Sequence, residues 1–113
     1  MESLDHSLRG AVCVVDALLG TGAKGEPRSP MDEVIERLNA SGTPILSVDL
    51  PSGLDADTGQ PSRSTIRAAH TATFVAQKPG FFRPSAVPYV GRIHVIDIGA
   101  PPTLVERMIQ WPF

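Results

Sequence analysis

Val48-Asp49-Leu50-Pro51-Ser52-Gly53-Leu54-Asp55 is the stretch whose reading decides the fold. An apolar run, Pro44 to Val48, delivers a carboxylate at Asp49 and then breaks into a Pro-Ser-Gly turn. Pro51 removes a backbone donor and fixes φ, and Gly53 admits positive φ. Between them Ser52 offers a hydroxyl and a carbonyl as oxygen ligands. The pattern predicts a strand that ends by holding polar atoms still at one lip of a sheet.

A second strand end lies upstream. Val12 to Leu19 is a nearly continuous apolar run, the pattern of a strand covered on both faces, with Asp16 near its end. Cys13 lies inside that run and is expected to be a buried structural thiol. Gly20-Thr21-Gly22-Ala23-Lys24-Gly25 follows at once, a loop whose backbone N–H groups can approach an anion closely, with Lys24 as a point charge. It is neither a Walker A loop nor G-x-G-x-x-G, and taken alone it is equally well a tight connection.

Between the two strands the sequence predicts a helix from about Pro30 to Ser41. Ser29 is a suitable N-cap, Pro30 suits the first helical position, and Asp32 and Glu33 place negative charge in the first turn. Met31, Val34, Ile35 and Leu38 form one apolar face, and Gly42 marks the end. Strand, helix, strand is a βαβ unit with parallel strands. Thr71 to Ala76 and Arg92 to Ile98 read as two further strands, with a closing helix expected over Leu104 to Ile109 and an apolar tail at Trp111-Pro112-Phe113. Pro51 to Ala69 and Pro79 to Pro88 are rich in Pro, Gly and Ser and read mainly as loops, with a helical turn near Ser64 to Ala69.

If the four strands are parallel, their C-terminal ends carry Asp16, Asp49, Lys78 and Asp97, each beside a glycine-containing turn. Open α/β sheets bind ligands in the crevice outside those ends. A strand-end carboxylate also commonly caps a helix or turn, the plainer role for Asp97. Other chemistry is less well supported. His6, His70 and His94 are scattered and show no metal-ligand spacing, so no zinc site is expected. His94 reads as an ordinary strand residue. Ser52 is not in a Gly-x-Ser-x-Gly elbow, which argues against a hydrolase. Phe81 and Phe82 are expected in the core rather than in a ligand pocket.

The chain has 113 residues, 42% of them hydrophobic, and a net charge of −2. That suffices for one core in one domain. Near-neutral charge argues against an electrostatic nucleic-acid surface, and no apolar run approaches the roughly 18–20 residues of a membrane span. The first residues do not form a signal peptide. The single cysteine fits a reducing cytoplasm.

Val15-Asp16-Ala17-Leu18-Leu19-Gly20-Thr21-Gly22, then Gly25 and Arg28-Ser29-Pro30, then Asp49 to Gly59, resemble the YjeF N-terminal domain family, the NAD(P)H-hydrate epimerases. Thr71-Ala72-Thr73-Phe74, Lys78-Pro79-Gly80, Tyr89-Val90-Gly91 and Asp97-Ile98-Gly99-Ala100-Pro101 fit the same family in the same order, so the resemblance runs from about Val12 to Pro102. It implies a Rossmann-like, three-layer α/β/α fold with a mainly parallel sheet. Members begin with a further half-domain carrying a Gly-Asn-rich loop, and nothing like that loop occurs here. Residues 1–113 therefore read as the C-terminal portion of such a domain: a fragment, a late start or one part of a split protein.

The function implied by the resemblance is interconversion of the R and S epimers of hydrated NADH and NADPH (NADHX and NADPHX). Asp16 and Ser52 match family positions that ligate potassium. Gly20, Thr21, Gly22, Ala23, Lys24, Gly25 and Glu26 match the substrate-phosphate loop, and Asp49 matches a substrate contact. From position, Asp49 is assigned as acid/base and Lys78 as its electrostatic or proton-transfer partner. The rival expectation is a non-catalytic nucleotide-binding or protein-interaction module, because the fold alone does not establish an enzyme. Without the other half-domain an apolar face should lie open, so the chain is expected to need that half or to self-associate.

Overall fold

The computed structural model describes residues 1–19 and 25–97. Helix α1 (Glu2–Leu8) is followed by strand β1 (Val14–Asp16), helix α2 (Met31–Ala40) and strands β2 (Ile45–Val48) and β3 (His70–Phe74). Two 3₁₀ turns (Pro79–Phe82 and Pro84–Ala86) and the short helix α3 (Val87–Val90) then lead to β4 (Arg92–Ile96). The strands form one parallel sheet in the order β1-β2-β3-β4. Each strand therefore pairs with its successor in the chain, and each connection must cross the sheet to return. The predicted closing helix and apolar tail, and Gly20 to Lys24, lie outside the described residues.

Alternation along the strands sorts the residues by face. The register places Val14, Asp16, Ile45, Ser47, Thr71, Thr73 and Ile93 on the inner face. Ile35 and Leu38 of α2 pack there with Ile45, Ile66 and Ala68, joined by Leu4 and Leu8 of α1. A second cluster of Leu50, Leu54, Phe81, Ala86 and Val90 packs with Ile93. Among the described residues these elements all cover the same face. The outer face carries Val15, Leu46, Val48, Ala72, Phe74 and Ile96, of which Val15 is 61% exposed.

Several local expectations are corrected. β1 is not covered on both faces, since Val15 is 61% exposed, and Cys13 is exposed rather than buried. Phe82 is exposed, because only Phe81 of that pair turns into the second cluster. Helix α2 is bounded by Pro30 at the N-cap, not Ser29, and the Arg28 carbonyl accepts from Met31 N–H at 2.7 Å in place of a side-chain cap. Ser64 to Ala69 forms no helical turn. Its donors are committed elsewhere: Ile66 N–H to the Ser52 carbonyl, Ala68 N–H to Tyr89 and Ala69 N–H to Ile45. Among the described residues no helix is long and apolar enough to cross a membrane.

Candidate functional site

The inner face is polar where the chain leaves the sheet. Asp16, Ser47, Thr71 and Thr73 are all fully buried. Burying such groups is costly unless each is hydrogen-bonded. Asp16 Oδ2 accepts from the Ser47 hydroxyl at 2.7 Å and from Ser52 N–H at 2.9 Å. Its Oδ1 accepts from the Ser52 hydroxyl at 2.6 Å and from Leu18 N–H at 3.3 Å. Ser52 Oγ in turn accepts from Leu19 N–H at 2.9 Å. One carboxylate thus ties β1, β2 and the Pro-Ser-Gly turn together, and its partners among the described residues are neutral donors.

The turn itself is packed tightly against the connection to β3. Gly53 has φ +96°, and a Cβ there would lie 2.4 Å from the Ser64 carbonyl oxygen. Its own carbonyl accepts from Ser62 N–H at 3.0 Å. Only glycine meets both demands.

β2 and β3 end in the same way. Asp49 and Val75 are non-glycine residues at φ 72° and 69°. Asp49 N–H donates to the Ala72 carbonyl at 2.7 Å, and Val75 N–H donates to that of Ile96 at 3.1 Å. The following N–H then closes a three-residue turn in each case, Leu50 to Val48 at 3.0 Å and Ala76 to Phe74 at 2.8 Å. Such backbone costs roughly 1–3 kcal/mol per residue, and it concentrates at functional sites.

These reversals bring Asp49 and Lys78 together across adjacent strand ends. Lys78 Nζ is 2.8 Å from Asp49 Oδ1, with the two side chains 21% and 23% exposed. The same oxygen accepts from the Thr73 hydroxyl at 3.2 Å and from Phe74 N–H at 3.5 Å. Asp49 Oδ2 has no hydrogen bond among the described residues, so a proton-accepting oxygen stands beside a cation in a half-buried setting.

Of the residues named from the sequence, the structure pairs Asp16 with Ser52 and Asp49 with Lys78. Gly25 and Glu26 line a cavity of about 230 Å³ with Pro51, Asp55 and Ser62, and Glu26 Oε2 accepts from Arg63 N–H at 2.6 Å. Asp49 and Lys78 are not part of that lining. Gly20, Thr21, Gly22, Ala23 and Lys24 lie outside the described residues. Asp97 follows β4 and is exposed. Sequence reasoning missed Ser47 and Thr73. Their signal was a polar residue on the same alternating face as Ile45 in β2, or as Ile93 across from β3. It also missed that His70 and His94 meet, because 24 residues separate them in the chain.

Residues 1–80 match the family model for the YjeF-related protein N-terminus. The chain is 46% identical over 111 residues to an NAD(P)H-hydrate epimerase of Pirellula staleyi, covering 98% of this chain and 49% of that protein. It is 43% identical over 86 residues to the bifunctional NAD(P)H-hydrate repair enzyme Nnr of Escherichia coli, covering 76% of this chain and 17% of that one. The crystal structure of yeast ynu0 superposes with a TM-score of 0.72 at 25% identity, over 98% of this chain and 46% of that one. The chain thus spans about half the length of the epimerase it matches. With the parallel sheet and the strand-end residues in place, these matches show that the chain belongs to the family of the YjeF-related protein N-terminus.

Proposed function

We propose that the protein contributes the acid/base site for epimerisation of hydrated NADH and NADPH, and that residues 1–113 are the C-terminal portion of the domain that performs it. The observation that carries this reading is the 2.8 Å contact of Lys78 Nζ with Asp49 Oδ1 at the strand ends of a chain whose relatives are named NAD(P)H-hydrate epimerase. Inverting a hydroxyl-bearing carbon next to a ring nitrogen requires proton transfer at that oxygen or in the adjoining enamine. Asp49 Oδ1 is held by Lys78, Thr73 and Phe74 N–H, which leaves Oδ2 to take the proton and return it. The Lys78 ammonium anchors the carboxylate and favours negative charge developing on the substrate oxygen.

Asp16 and Ser52 are the residues we assign to a potassium ion. A hard cation takes oxygen ligands, which Asp16 and Ser52 supply, but the Ser52 hydroxyl now donates to Asp16 Oδ1 at 2.6 Å, so it would have to turn its proton away for both oxygens to face an ion. When bound, the ion would balance the Asp16 charge and give substrate oxygens a positive anchor. Gly20 to Glu26 would hold the substrate phosphates. The exposed thiol of Cys13 suits a reducing compartment, and we place the protein in the cytoplasm.

The outer face, which no described element covers, favours a second reading, a binding module that docks on another half-domain or on a second copy without catalysing. Titration with NADPHX and with an unrelated nucleotide separates the two. The epimerase reading predicts preference for NADPHX and exchange of its epimers once the other half-domain is supplied. Equal affinity for both ligands, with no epimer exchange, would favour the module.

A further inference from the structure

We propose that His70 and His94 form a two-imidazole site for a late first-row divalent ion such as zinc on the outer face of the sheet. His70 opens β3, at the opposite end of that strand from the Asp49–Lys78 region, and the site is independent of the proposed epimerase chemistry. The β3–β4 register pairs His70 with Arg92 and Ala72 with His94, so the two histidines are diagonal neighbours on one face. His70 Nδ1 lies 3.0 Å from His94 Nε2, and the ring centroids are 5.2 Å apart. Both residues are exposed.

Two imidazoles bound at about 2.0–2.1 Å to one tetrahedral zinc place their ligating nitrogens about 3.4 Å apart and their ring centroids about 5.1 Å apart. The observed centroid separation already meets that requirement. Opening the nitrogens by about 0.4 Å needs only a small rotation of each ring; among the described residues no third His, Cys, Asp or Glu joins the pair, so water would fill the remaining positions. In the absence of metal the contact is an N–H···N hydrogen bond in which one ring donates and the other accepts. The histidines stand on paired strands, so the fold has already restricted their positions. Arg92 is the charged register neighbour on this face, and it opposes a cation. Imidazole affinity rather than charge must then select the ion, which disfavours magnesium and calcium with their preference for oxygen ligands.

The test is calorimetric titration of zinc chloride into the 113-residue chain, each preparation first shown to be folded by circular dichroism, with magnesium chloride as control, repeated for His70→Gln, His94→Gln and His6→Gln. Both ring positions are exposed, so these variants leave the core untouched. The proposal expects one zinc per chain, affinity lower by about tenfold or more in each of His70→Gln and His94→Gln, and no change in His6→Gln. Absence of saturable zinc binding, or binding that survives either His70→Gln or His94→Gln, would overturn it.

Discussion

Asp49 Oδ1 lies 2.8 Å from Lys78 Nζ, and the two residues reach each other because β2 and β3 both end in a reversed three-residue turn. Asp49→Asn keeps the size and the positive-φ backbone, which Asn tolerates well, while removing the proton acceptor. Epimerase turnover should fall by about 10²-fold or more. Because the pair is single and both side chains still reach solvent, stability should fall by about 1–2 kcal/mol, between the values for exposed and buried pairs. Epimer exchange and urea unfolding, run on the same preparations, measure the two effects separately.

Thr73→Val tests positioning. Its hydroxyl donates to Asp49 Oδ1 from a fully buried site, and valine preserves the branched shape. Loss of one hydrogen bond to a carboxylate predicts a fall of about tenfold in kcat, with KM little changed. A proportionate rise in KM alone would assign Thr73 to substrate binding instead.

Asp16→Asn should be the more damaging change to the fold. The amide nitrogen would face the Ser47 hydroxyl and Ser52 N–H in place of Oδ2, or the Ser52 hydroxyl and Leu18 N–H in place of Oδ1, so at least one N–H donor loses its acceptor either way. Stability should drop by about 2–4 kcal/mol, read as a lower urea midpoint with the slope unchanged. Ser52→Ala leaves the carboxylate with its other donors and should cost less stability, and if the proposed potassium site exists it should also weaken any preference of the activity for potassium over tetramethylammonium.

Two glycines separate backbone strain from steric clash. Gly42 has φ +74° with open space where a Cβ would stand, whereas at Gly53 the same methyl would meet the Ser64 carbonyl at 2.4 Å. Gly42→Ala should cost about 1–2 kcal/mol, as left-handed backbone alone does. Gly53→Ala should cost clearly more and should expose the 62–66 connection to proteolysis, because Ser52 and Gly53 anchor it.

The parallel sheet was legible because β2 and its Asp-Leu-Pro-Ser-Gly ending combine an apolar run with obligatory turn chemistry. Helix α2 was legible from its apolar spacing, with Ile35 and Leu38 buried as the pattern requires. What the sequence hid depends on pairing at a distance. Nothing local says that Cys13 and Val15 are exposed, or that the donors of Ser64 to Ala69 are claimed by Ser52, Tyr89 and Ile45. Asp16 and Asp49 could each be picked out as strand-end carboxylates. Their different environments, one enclosed by neutral donors and one beside a lysine, arise only when the strands are set side by side.

The measurement closest to the central claim is NADPHX epimer exchange by the chain combined with the remaining half-domain of a family relative, wild type against Asp49→Asn, each checked for an unchanged fold. The account predicts exchange in the wild type and its loss in Asp49→Asn, with Lys78→Met intermediate. Undiminished exchange by folded Asp49→Asn would contradict the assignment of the acid/base site to this strand end.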